Sequence, residues 1–134
     1  MLPLLYPRRW QLASALLLLL VLAAALAPAI LPWLTDRAPA LPQVDKWMHG
    51  ITFALLALWF TGQYARHTWG WIVIGLCLYG ALIEVGQSLI PYRTAEWTDL
   101  GADALGALAG IVIAATVTGG WSIRAEAWLE ARFG

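Results

Sequence analysis

Four long apolar runs, separated by short polar breaks, set the pattern of this chain. The first, Gln11 to Leu34, is apolar apart from Ser14 and follows Arg8 and Arg9. The others run from Asp45 to Tyr64, from Trp69 to Ile90 and from Asp99 to Thr118. A helix rises about 1.5 Å per residue and needs about 20 apolar residues to cross a bilayer. The pattern therefore predicts spans over about 10–34, 45–64, 69–90 and 99–118. The breaks carry turn chemistry: Asp36, Arg37, Pro39 and Pro42 in the first, Arg66 and His67 in the second, and Pro91 to Thr98 in the third. After Gly119 and Gly120, a tail over 121–133 puts Trp121, Ala125, Trp128 and Arg132 on one helical face and Glu126 and Glu130 on another. That tail reads as a short interfacial helix, with a frayed polar tail as the alternative. The expected fold is all-α: one polytopic membrane domain over 1–134, with four transmembrane helices in a bundle plus the C-terminal interfacial helix.

The first run also has the outline of a signal peptide, with Ala25-Leu26-Ala27 resembling a cleavage site. Its length through Leu34, and Pro28 directly after the would-be site, argue for a span instead.

Composition sharpens this picture. Of 134 residues, 61% are hydrophobic and 12% charged, about half the charge of an average soluble domain. The net charge is zero, so nothing points to nucleic acid. Cys77 stands alone within the third run and reads as packing. No CxxC, P-loop, HExxH or GxSxG pattern is present. Most of the nine tryptophans fall near predicted span ends, as an aromatic belt requires, while Trp59 reads as packed within or near the second span. Arg8, Arg9, Arg66, Arg124 and Arg132 flank one side of the membrane, against Arg37, Lys46 and Arg93 on the other. This bias predicts an inner-membrane protein with both termini cytoplasmic.

Within this apolar background the ionisable residues form a set. Asp45, Lys46 and His49 open the second run; Glu84 and Gln87 lie near the end of the third; Arg93 follows; Asp99 and Asp103 open the fourth. With four spans, all of them fall on one side, the outer one. Charged groups at membrane depth are expensive, so a cluster of them is a functional-site hypothesis. Asp45 and His49, four apart, share a helix face, and the carboxylate can fix the imidazole tautomer. Asp45 alone also reads as an N-cap, and Lys46 alone as a snorkelling anchor. Glu84 has only apolar neighbours and needs a partner from another helix. Gln87 shares its face, and Gly80, one turn earlier, admits a neighbouring helix. Arg93 can pair with Glu84 or Asp99, or bind a phosphate or carboxylate in a fork. Asp99, Asp103, Gly106 and Gly110 form one stripe, its GxxxG a close-packing face that turns the acids into the bundle. Asp99 also reads as an N-cap, with Thr98 competing.

These residues resemble the VanZ-like family of small bacterial membrane proteins: DKWMH at 45–49, EVGQ at 84–87, PYR at 91–93, then Asp99 and GADALGALAG at 101–110. The resemblance covers roughly 40–112. It implies a cell-envelope protein, since the founding member is associated with resistance to the glycopeptide teicoplanin. Family members often carry Asn where this chain has Asp103.

Three functions compete. In a binding or transport-related envelope protein, Lys46 and Arg93 hold the anionic headgroup of a lipid or lipid-linked precursor, while Asp45, His49, Glu84, Gln87, Asp99 and Asp103 contact polar groups. In an intramembrane hydrolase or phosphotransferase, Glu84, His49 and Asp45 are catalytic, and Asp45, His49, Glu84 and Asp103 are candidate ligands for a divalent metal. In the third, the polar set is only a network that specifies helix packing. The partners expected are a membrane lipid or lipid-linked precursor, with a homodimer left open.

Overall fold

A computed structural model describes residues 1–30, 42–90 and 96–133, with side chains for all of these except 28–30 and 42–45. The described residues are helical, with no strand among them. Helix α1 is Pro7–Ile30, α2 Pro42–Gln63, α3 Trp69–Ser88, α4 Trp97–Ile113 and α5 Trp121–Phe133. Prolines open α1 and α2, where a missing N–H leaves no helical bond unmade. A 3-10 turn, Arg66–Thr68, leads into α3, and a π-helical turn, Ala114–Thr118, extends α4. Gly120, at φ 70°, takes the left-handed backbone that turns the chain into α5.

The first four helices match the four expected runs, with shifted ends. The third helix stops at Ser88 rather than at residue 90, and the fourth starts at Trp97 rather than at Asp99. Its N-cap is Glu96, so neither Asp99 nor Thr98 takes the N-cap position; Asp99 lies in the first turn. The expected continuation of the first span over 31–34 with Trp33, the part of the expected 35–44 loop up to residue 41, and Pro91, Tyr92 and Arg93 lie outside the described residues; residues 42–44, expected in that loop, instead open α2, since proline fits the first helical position.

Pro7–Ala27, Arg66–Ser88 and Trp97–Thr118 are long and apolar enough to cross a membrane. The α2 helix has comparable length, 22 residues, but Gln43, Asp45, Lys46 and His49 crowd its start and Thr61 and Gln63 its end. Its outer side still shows an apolar stripe of Trp47, Met48, Ile51 and Leu55.

Small residues set the tightest contact, between α2 and α4. A Cβ on Gly106 would overlap the backbone of Gly50, and one on Gly110 would lie 2.7 Å from the Ala57 Cβ. The GxxxG of α4 thus closes onto α2, as close backbone approach in membrane helices requires. Phe53, Leu56, Ala57, Leu76, Ile83 and Ala107 form the core behind this seam. The first helix leans on α3, where Tyr79 donates to the Leu18 carbonyl at 2.5 Å and Gln87 Nε2 to that of Ala25 at 3.0 Å. Between α1 and α2 runs an apolar groove of about 350 Å³ lined by Leu17, Val21, Leu55, Leu56 and Trp59.

These contacts define two ends. At one, α1 and α3 finish and α2 and α4 start; it carries the polar set. The other holds the N-terminal residues and α5. There Trp10, Trp59 and Trp121 form a mutual cluster with ring centroids 5.4–5.6 Å apart. Each indole N–H has a partner inside the protein: Glu126 for Trp10, Ser14 for Trp59 and the Leu58 carbonyl for Trp121. Trp10 and Trp121, expected in the aromatic belt, are therefore internal anchors, and so is Trp69, which is buried and donates to the Tyr64 carbonyl. Trp47, Trp71 and Trp97 are exposed, as a belt requires.

The tail forms a helix docked on α2 rather than a frayed end. Its inward residues are Ser122, bonded to the Gly62 carbonyl, and Glu126. The expected grouping set Glu126 beside Glu130, apart from the aromatic face. In the structure Glu126 is buried, whereas Trp128 is exposed. The three N–H groups that Glu126 accepts outweigh the apolar alternative.

Candidate functional site

The polar end is assembled from three helices. From α2 comes His49, a turn below Asp45. The third helix supplies Glu84, and α4 supplies Asp99 and Asp103, one turn apart. Glu84, Asp99 and Asp103 are all buried, Asp103 completely. The seam explains the depth of Asp103: glycines at 106 and 50 bring α4 so close to α2 that the stripe above them is sealed.

Asp103 reaches across the seam. Its Oδ1 lies 2.9 Å from Nδ1 of His49. Its Oδ2 is directed at Gly80, where a Cβ would come within 2.6 Å of it. Gly80 therefore makes room for a carboxylate, and not only for a helix. An ionised carboxylate only accepts hydrogen bonds, so with Asp103 in that form Nδ1 of His49 would carry the proton in this contact. In the neutral ring the lone pair is then on Nε2. This is the tautomer control expected of a carboxylate, but the acid is Asp103 from α4. The side chain of Asp45, expected to take that role, lies outside the described residues.

His49, Glu84 and Asp99 each bring one potential ligand atom to within 4.8 Å of the others. The expected ligand set was Asp45, His49, Glu84 and Asp103; the geometry has Asp99 as the third group and Asp103 behind the histidine. Two ionised carboxylates at that separation repel by about 3 kcal/mol at an effective dielectric constant near 20. A positive charge or a shared proton relieves such repulsion. Glu84 Oε2 accepts the backbone N–H of Glu96 at 3.2 Å, which ties the start of α4 to the end of α3. Its other oxygen, Oε1, and Asp103 Oδ2 are buried with no hydrogen-bond partner among the described residues.

Two expected members stand apart. Lys46 pairs with Glu96 at 2.9 Å in a half-exposed contact at the rim, of the kind worth about 0–1 kcal/mol. Gln87 is buried, but its amide joins α3 to α1 through Ala25. Arg93 lies outside the described residues. Glu96 was not singled out by sequence; glutamate is a poor N-cap residue, so nothing marked that position as the helix start.

A family model described as VanZ/LLP1 matches residues 5–118, and the chain belongs to that family. Its apolar helices and this membership make it a membrane protein. No curated protein and no solved structure matches the chain.

Proposed function

We propose that this member of the VanZ/LLP1 family binds the headgroup of an anionic lipid or lipid-linked envelope precursor in its polar end. We place it in the inner membrane with four spans and both termini cytoplasmic, so that the polar end faces outward. Teicoplanin resistance would follow where such binding alters the precursors that the glycopeptide meets.

One observation carries the reading. Three helices bring the half-buried His49 together with the buried Glu84, Asp99 and Asp103, and Glu84 Oε1 and Asp103 Oδ2 lack partners among the described residues. An unsatisfied buried polar atom costs about 1–3 kcal/mol. A network serving only helix packing has no reason to keep two, whereas a ligand site does. The exposed stripe Trp47, Met48, Ile51 and Leu55 supports α2 as the fourth span, because it offers lipid an apolar surface. Lys46 at the rim suits a headgroup phosphate, and the carboxylates suit hydroxyl or ammonium groups deeper in. A second reading, a metal-dependent hydrolase or phosphotransferase acting on the same headgroup, draws on the spacing of His49, Glu84 and Asp99.

Native mass spectrometry of the detergent-purified protein tests the binding. The expected result is one anionic lipid or precursor per chain, lost in Glu84→Gln while the thermal midpoint is kept. A wild type that carries no lipid after detergent exchange, or a variant that keeps it, refutes the reading. Reporter fusions at residue 67 and after residue 133 should report cytoplasm, and one within 36–42 the outside.

A further inference from the structure

We infer that His49, Glu84 and Asp99 bind one zinc ion, and that Asp103 is the positioning residue for the imidazole. The inference rests on the reading of the polar end as a ligand site and names a ligand for it.

The three groups come from three different helices, and their candidate ligand atoms lie within 4.8 Å of one another. Ligands around a tetrahedral zinc, each about 2.0–2.2 Å from the metal, sit about 3.4 Å apart. Side-chain rotation of about 1 Å closes that difference without moving a helix. Glu84 is 8% exposed, and its Oε1 is a buried acceptor without a partner among the described residues. Two carboxylates balance a dication, and an imidazole nitrogen favours zinc over calcium, magnesium and manganese. Asp103 completes the pattern. Its 2.9 Å contact with Nδ1 of His49 is the kind by which a carboxylate orients a metal-binding histidine, the metal being held through the other ring nitrogen.

Zinc titrated calorimetrically into the chelator-treated protein in detergent, with elemental analysis of the product, tests the site. One ion per chain is expected. Affinity should fall at least about 100-fold in His49→Ala and in Glu84→Gln, and about 10- to 100-fold in Asp103→Asn at unchanged stoichiometry. Cobalt-substituted wild type needs no variant: it should show the visible d–d bands of a low-coordinate nitrogen–oxygen site, and Asp103→Asn should shift them. No stoichiometric ion in the wild type, an octahedral aquo-like cobalt spectrum, or full affinity in folded Glu84→Gln each overturn the inference. The chelated wild type, assayed for lipid by native mass spectrometry, separates the two claims. Lipid without metal refutes the cation site alone, and metal without lipid refutes the proposed function alone.

Discussion

Glu126 and Glu84 are both buried carboxylates, at opposite ends of the packed helices, and the protein treats them differently. Glu126 receives the backbone N–H groups of Leu5 at 2.7 Å and Tyr6 at 3.1 Å and the indole N–H of Trp10 at 2.7 Å. Burial pushes its carboxyl up, but these three donors together hold it below the usual carboxylate range. Glu84 receives one backbone N–H, and its second oxygen has no partner among the described residues. A carboxylate saturated by its own chain is a structural fastener, here pinning the N-terminal segment under α5. One left half-satisfied in an acidic cluster has capacity for something from outside. Burial of an acid by itself does not separate these roles; the count of donors does.

Removing the saturated acid should give the largest effect. Glu126→Ala strands three donors and should lower stability by about 2–3 kcal/mol in denaturant titration, with lipid and metal binding at the far end retained. If it instead abolishes binding while stability holds, the two ends are not independent.

Gly106→Ala acts on the seam that both ends share. Its Cβ overlaps the Gly50 backbone, and overpacking of this kind costs about 1–3 kcal/mol. Gly101, where a Cβ meets nothing within 4 Å, supplies the control and should tolerate alanine. Equal behaviour of the two variants would remove the seam from the account.

Acid pH sharpens the contrast. The folded Glu126 has a lower pKa than its ordinary value of 4.5. Its contribution is therefore complete above that pH and is lost as pH falls below 4.5 through the folded value. A pH series of thermal midpoints should show this acid-side decline in the wild type and a shallower one in Glu126→Gln.

The smallest effect on stability is expected at the unsaturated acid. Glu84→Gln keeps an acceptor for the Glu96 N–H and should change stability by less than about 1 kcal/mol while abolishing ligand binding. A loss of about 3–5 kcal/mol would mean that Glu84 neutralises a buried cation of the protein itself, and the polar end would then be a second fastener.

The sequence by itself determined the helices and their rough limits, because a membrane leaves apolar length as the dominant signal and Pro, Gly and charge as its punctuation. It also determined that Glu84, Asp99, Asp103 and His49 share one end, since alternating runs return the chain to the same side. The stripe Asp99, Asp103, Gly106 and Gly110 was legible for the same reason: spacing fixes a face, and all four are buried. Only the tertiary structure decided who meets whom. Helices with apolar residues on every side give little sign of their rotation about the axis, so spacing could pair His49 with Asp45 on its own helix but not find Asp103 across the seam. It could not exchange Asp103 for Asp99 beside Glu84. Nor could it turn Glu126 inward, because the donors that reward its burial come from residues 5, 6 and 10, more than a hundred positions away in the chain.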